Sequence, residues 1–191
     1  RRPPCRHPVA PDLATGVEDA AGVTTSADLT LYSGGPVTQS EVVQASGLEL
    51  LGAGPFVLDD PGNDVDVLAA SPDAGGVSFR DTDDLRIGAV GTLLGIDTPG
   101  NLTLRAQRLA VQAPIVAGGS AVLNTTEEIG LANNITADRI DLNAGTTTRV
   151  TAASILTADA LSLGSSVTGT QPLTLLTRTL GKAVNIGGAT D

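Results

Sequence analysis

Apolar and polar residues alternate in short bursts along most of the chain. From Thr24 onward they recur as Leu29-Thr30-Leu31, Leu48-Glu49-Leu50, Val65-Asp66-Val67, Val77-Ser78-Phe79, Leu85-Arg86-Ile87 and Leu102-Thr103-Leu104. Ile129-Gly130-Leu131, Ile140-Asp141-Leu142, Leu161-Ser162-Leu163, Leu173-Thr174-Leu175 and Val184-Asn185-Ile186 continue the series. A period of two over a few residues predicts strands with one buried face. Between them lie turn formers, as in Ser33-Gly34-Gly35-Pro36, Gly52-Ala53-Gly54-Pro55, Asp60-Pro61-Gly62-Asn63 and Gly118-Gly119. No helical period of useful length appears, so an all-β fold is expected. Residues 1–23 differ. They hold Pro3, Pro4, Pro8 and Pro11 without a sustained period, which predicts a poorly ordered leader or linker with at most a helical turn over 12–21. Residues 24–191 form the expected folded unit.

The bursts also repeat as a phrase. Ala27-Asp28-Leu29-Thr30-Leu31 resembles Ser46-Gly47-Leu48-Glu49-Leu50, Gly100-Asn101-Leu102-Thr103-Leu104, Asp138-Arg139-Ile140-Asp141-Leu142 and Asp159-Ala160-Leu161-Ser162-Leu163. The spacings fall near one or two multiples of roughly 18–22 residues, a solenoid period. Such a unit holds three short strands and three turns, one coil of a right-handed parallel β-helix. Roughly eight coils at strand spacing make a rod of about 40 Å. The aromatic content agrees. Tyr32, Phe56 and Phe79 are the whole set, and a narrow interior suits Val, Ile, Leu and Ala better than rings. A β-sandwich, whose thicker core usually carries more aromatics, is the alternative.

Composition narrows the function. Cys5 is the single cysteine, which excludes a disulfide framework. No long uncharged apolar run exists, so no membrane-spanning helix or membrane insertion is expected. The formal net charge is −10 and the pI about 4.3. A nucleic-acid or anionic-lipid partner needs a Lys/Arg surface and is not expected. The chain neither begins with Met nor contains one, and we expect it to be a piece or processed product of a larger protein.

Candidate chemistry is sparse. His7 is the only histidine and sits in the Pro-rich leader, away from any rigid geometry that a Ser-His-Asp or Cys-His set requires. Cys5 and His7 supply two metal ligands where a structural zinc site takes four. Asp59, Asp60, Asp64 and Asp66 surround a Pro-Gly turn. They are weak candidates for Ca²⁺, lacking both EF-hand and β-roll spacing, and a solvated turn is the favoured reading. Asp81, Asp83 and Asp84 beside Arg80 and Arg86 read as local charge compensation. A polysaccharide-acting β-helix would align carboxylates with a base on one face. Its nominees are Asp64 with Asp66, Asp81 with Asp83, and Asp138 with Asp141. No nucleotide loop is present and no cofactor is expected. Asn133, Asn134 and Asn143 are expected at coil corners, where stacked amides can form a ladder. Asn101, Asn124 and Asn134 lie in Asn-x-Thr triplets, read as Thr-rich strand edges.

Two stretches are more specific than periodicity. Asp28-Leu29-Thr30-Leu31-Tyr32-Ser33-Gly34-Gly35-Pro36-Val37-Thr38-Gln39-Ser40 is one. Gly47-Leu48-Glu49-Leu50-Leu51-Gly52 running into Asp60-Pro61-Gly62-Asn63-Asp64-Val65 is the other. Both resemble repeats of filamentous-haemagglutinin-like adhesins exported by two-partner secretion, and of related autotransporter passengers, over roughly 27–188. The resemblance implies a β-helix secreted to or displayed on a bacterial cell surface, with a role in adhesion, aggregation, biofilm or contact-dependent competition. The implied partners are host or matrix glycans and proteins, or sibling adhesin molecules. Asn-Pro-Asn secretion motifs, a membrane barrel and an Arg-Gly-Asp tripeptide are missing from this sequence, so an internal shaft segment without catalysis is expected. A pure spacer and a polysaccharide-acting enzyme are the other expectations. The bare edge of a terminal coil predicts end-to-end self-association or a cap, with the leader as a candidate cap.

Overall fold

Short strands stack in parallel, one coil on the next, through about eight turns in the computed structural model, which describes residues 22–182. No helix occurs among the described residues. Arg108–Val111, Ile115–Ala117 and Ser120–Thr125 make one regular coil, a strand on each of three faces. Leu109 pairs with Ile129, Ile115 with Ile135 and Ala121 with Ile140 in the next coil. The third face is a separate 7-stranded sheet, whereas the first two belong to one 14-stranded sheet. Early strands join them by turning the corner unbroken: within Asp64–Pro72, Leu68 pairs with Ile87 on the first face and Ala70 with Ile96 on the second. Parallel ladders between coils define a β-solenoid and exclude the antiparallel sandwich.

Alternation builds the core. Leu50, Ala70, Ile96, Ile115, Ile135 and Leu156 follow one another as an inward column, each at most 2% exposed. Such a column removes nearly all its apolar surface from water, at about 25 cal/mol per Å². One expectation needs correction. Rings do fit inside: Phe56 and Phe79 are fully buried in adjacent coils of the third face. The same two coils turn Ala45 and Ala70 inward, and small side chains there leave volume for a ring. Tyr32, by contrast, points outward. The repeated phrase occurs on more than one face. Leu29-Thr30-Leu31 and Leu48-Glu49-Leu50 pair with each other, while Leu102, Ile140 and Leu161 lie in the third-face sheet. Leu-polar-Leu records an inward-facing strand, whichever side of the coil it forms.

Coil length is 19 to 20 residues where Leu48 pairs with Leu29 and Ile129 with Leu109, but 24 where Leu109 pairs with Leu85. The surplus is an antiparallel hairpin, Ala89–Val90 against Leu93–Leu94. Its neck is closed by the Gly95 amide donating to the Gly88 carbonyl at 2.8 Å. The hairpin lies on the outer side of Val43–Gly52 and Asp64–Pro72. It buries Val90, Ala69 and the Glu49 side chain, which accepts a 2.8 Å hydrogen bond from Thr30 Oγ1. Gly47 lies beneath, where a Cβ would come within 2.9 Å of Val90 Cγ1. The triplet Val65-Asp66-Val67 also departs from simple alternation. Val65 and Leu68 are buried, while Val67 shares the outer side with Arg86.

Corners are tied by side chains. Asn63 is fully buried between the second and third coils. Its Oδ1 accepts from the Val43 amide at 2.8 Å, and its Nδ2 donates to the Leu58 and Arg80 carbonyls at 3.2 and 3.1 Å. Gln39, from the first coil, closes the knot on both Asn63 side-chain atoms. Three coils therefore meet on one amide. The described ladder begins at Val23, paired with Val43. The proposed helical turn at 12–21 and the last triplet, Val184-Asn185-Ile186, lie outside the described residues.

Candidate functional site

The outer side of the first face carries a groove with charged walls. Its strands are Asp84–Ile87, Arg108–Val111, Glu128–Leu131 and Thr147–Val150. Alternation turns Leu85, Leu109 and Ile129 inward and leaves their neighbours outside. Register then sets Arg86, Ala110, Gly130 and Arg149 in one outward column. Ala110 and Gly130 form a floor without bulk: a Cβ on Gly130 would meet only the Leu109 carbonyl, at 3.8 Å. The result is a shallow groove of about 350 Å³ bounded by Asp66, Asp84, Arg86, Arg108, Gln112 and Glu128.

Charge within the groove is partly paired. Arg108 reaches Asp84 at 3.3 Å and also Glu127, whose other contact is Gln107 Nε2 at 2.5 Å. The Glu127 carboxylate first, and Asp84 second, raise Arg108 above its ordinary value. These pairs are solvent-exposed and add little stability. Among the described residues, neither Arg86 nor Arg149 has a carboxylate within 4.0 Å. Three coil steps separate them, about 14 Å. The groove can therefore present the Arg86 guanidinium, with the Asp84 and Glu128 carboxylates on either side of Arg108 along one wall, and Arg149 continues the outward column one coil beyond it, an arrangement suited to an extended polar chain lying along the rod.

The residues singled out from sequence are mostly dispersed. Asp59 accepts from Ser78 Oγ at 2.8 and 2.9 Å and meets Arg105 at 3.4 Å. Asp60 accepts the Gly62 amide at 2.8 Å inside its own turn. Asp64 and Asp66 share the outer side of one strand, with Val65 turned inward between them. Among the described residues, no three Asp, Glu, His or Cys side chains converge on a point where a cation would sit. Asp81 is buried at a corner, accepting the Val65 and Asp83 amides at 2.9 and 3.0 Å. Burial is the main reason its carboxyl is pushed up to about 7; the Asp83 carboxylate adds to this and the two amides oppose it. Asp138 meets Arg178 at 2.7 Å, and Asp141 meets Arg139 at 2.6 Å. Of the polysaccharide nominees, only Asp66 reaches the groove. Cys5 and His7 lie outside the described residues.

The asparagines are structural. Asn143 donates to Asn124 Oδ1 at 3.0 Å, a two-rung ladder. Asn133 and Asn134 share a corner but face opposite coils, with Asn133 donating to the Gln112 carbonyl and Asn134 accepting the Ile155 amide. Asn101 accepts the Ser120 amide at 2.9 Å. All three Asn-x-Thr asparagines are thus committed to a neighbouring coil. The groove residues Asp84, Arg86, Arg108 and Glu128 escaped the sequence reading as a set. Their signal was the coil-length spacing, 20 residues from Arg108 to Glu128, and the hairpin stretches it to 24 between Asp84 and Arg108.

Fold and site together define a parallel β-solenoid with a polar outer groove. No protein-family model, curated protein or solved structure matches the chain.

Proposed function

We propose that this chain is a β-helical shaft segment of a secreted bacterial surface exoprotein of the filamentous-haemagglutinin type, acting in adhesion or aggregation without catalysis. The observation that carries the reading is the stack itself: about eight coils in register, apolar inside and polar outside. Each coil touches only its neighbours, so stiffness and length come from repetition, and the outer columns repeat weak contact points along an axis. The groove lined by Arg86 and Arg108, continued along the rod by Arg149, is the contact we favour for an acidic or polar glycan. The test is an array of glycans and matrix proteins probed with the whole chain, with polysaccharide cleavage assayed on the same samples. Saturable binding that weakens on Arg86→Ala and Arg149→Ala, without cleavage, supports the reading. Silence in both assays leaves a spacer shaft and removes the adhesive part.

A second reading draws on Asp66, Asp84 and Glu128 along one wall of that groove. A polysaccharide-acting β-helix needs carboxylates on one face of nearby coils. Cleavage abolished by Asp84→Asn would establish it and overturn the first reading.

A further inference from the structure

We propose that Asn101 and Asn134 are N-glycosylation sites, each carrying a sugar on its Nδ2 atom. This goes beyond the shaft reading and does not depend on what the groove binds. Both stand in Asn-x-Thr triplets, Asn101-Leu102-Thr103 and Asn134-Ile135-Thr136, the pattern that sugar transferases read. Both are exposed at coil corners, directly before the strands Leu102–Ala106 and Ile135–Thr136.

The side-chain amides of the rod divide by triplet. Asn63, Asn133 and Asn143 lie outside any Asn-x-Thr, and each donates a hydrogen bond from Nδ2. Asn101, Asn124 and Asn134 lie inside one, and each accepts at Oδ1 with no partner for Nδ2 among the described residues. At Asn101 and Asn134 chemistry fixes the orientation. Each faces a backbone N–H of the next coil at 2.9 Å, from Ser120 or Ile155. Only the oxygen can accept it, so Nδ2 is the unused branch. Asn124 is half-buried beside Asn143 and is not part of the proposal.

An amide is more than the stack requires at these two corners. Where the chain needs only an acceptor for a neighbouring coil, it also uses aspartate: Asp81 takes the Val65 amide and Asp159 the Thr179 amide. Asn63, by contrast, works through both its atoms. The Nδ2 groups of Asn101 and Asn134 are thus surplus to the fold, and Nδ2 is the atom that glycosylation uses. A bond forms from Nδ2 to the anomeric carbon of an activated sugar as the bond from that carbon to its phosphate leaving group breaks. One amide proton passes to a base of the transferase. Oδ1 stays a carbonyl acceptor, so the contact with the next coil survives, and the bulky polar groups project from two different corners of the rod.

The test is peptide mass spectrometry, with fragmentation that keeps the sugar in place, on the full chain isolated from the cells that make it. The expected result is a hexose or N-acetylhexosamine increment on both Asn101 and Asn134. Thr103→Ala should remove the first and Thr136→Ala the second, although both asparagines remain, while Thr103→Ser and Thr136→Ser should retain them. Asn101→Asp and Asn134→Asp keep the acceptor. In unmodified chain, made in a host without such a transferase, they should leave the urea midpoint unchanged. Bare asparagine at either site would overturn the proposal. So would an increment that persists in the alanine variants, or aspartate variants that unfold at distinctly lower urea, since Nδ2 would then be serving the fold.

Discussion

Asn63 and Asp81 occupy equivalent corners one coil apart, and each takes the amide of an inward-pointing valine, Val43 or Val65, from the coil before. The same backbone need is met by an amide in one case and a carboxyl in the other, with different consequences. Asn63→Ala would strip partners from the buried Val43 amide and from the Leu58 and Arg80 carbonyls. Each such group costs about 1–3 kcal/mol when left unpaired, so a loss of at least about 3 kcal/mol is expected in urea unfolding. Asp81 makes stability depend on pH. Its folded value of about 7 lies above the ordinary 3.8, so between those values the folded chain keeps a proton that the unfolded chain releases. The contribution is complete below the unfolded value and is lost as pH rises through the folded one. Denaturation midpoints should fall between about pH 4 and pH 7 from this group, and Asp81→Asn should remove that component of the slope. Asn63 is the precedent for an amide at that corner. In the sequence, Asn63 reads as one more residue of a Pro-Gly turn, because a knot of three coils has no local signature.

At the scale of elements, alternation exposed the strands and their period, since a buried column demands an apolar residue at every inward position. It did not distinguish the faces, nor did it find the hairpin. Val90, Leu93 and Leu94 look like any other apolar burst, and only the ladder shows that Leu85 must wait 24 residues for Leu109. The groove stayed hidden for the same reason: its residues are neighbours across coils, and one surplus loop puts them out of step. The hairpin is a satellite on a closed neck. Joining Gly88 to Gly95 by a two-residue turn in place of 89–94 should leave the solenoid folded. The expected cost is about 1–2 kcal/mol, set mainly by the lost burial of Val90. Faster hydrogen exchange around Gly47–Leu50, now uncovered, would accompany it, and loss of cooperative unfolding would show that the hairpin is integral to the stack.

At the scale of the whole molecule, the rod has direction. Residues 22–79 hold carboxylates but no Lys or Arg, and the cation that Asp59 meets, Arg105, comes from a later coil; the charged groove lies further along, and in the last described coils Arg178 and Lys182 pair with Asp138 and Asp159. No Lys or Arg occurs between Arg6 and Arg80 in the sequence, a gap that net charge alone conceals. Rise and contour also differ greatly in such a stack. Each coil stores about 20 residues, some 65–70 Å of extended chain, in a rise of about 4.8 Å. Pulled from its ends, the chain should lengthen in steps of about 60 Å as coils peel away one at a time, a spacing that optical-trap traces would resolve. A tether built this way holds its length under small loads and yields by more than tenfold under large ones, letting out line instead of snapping.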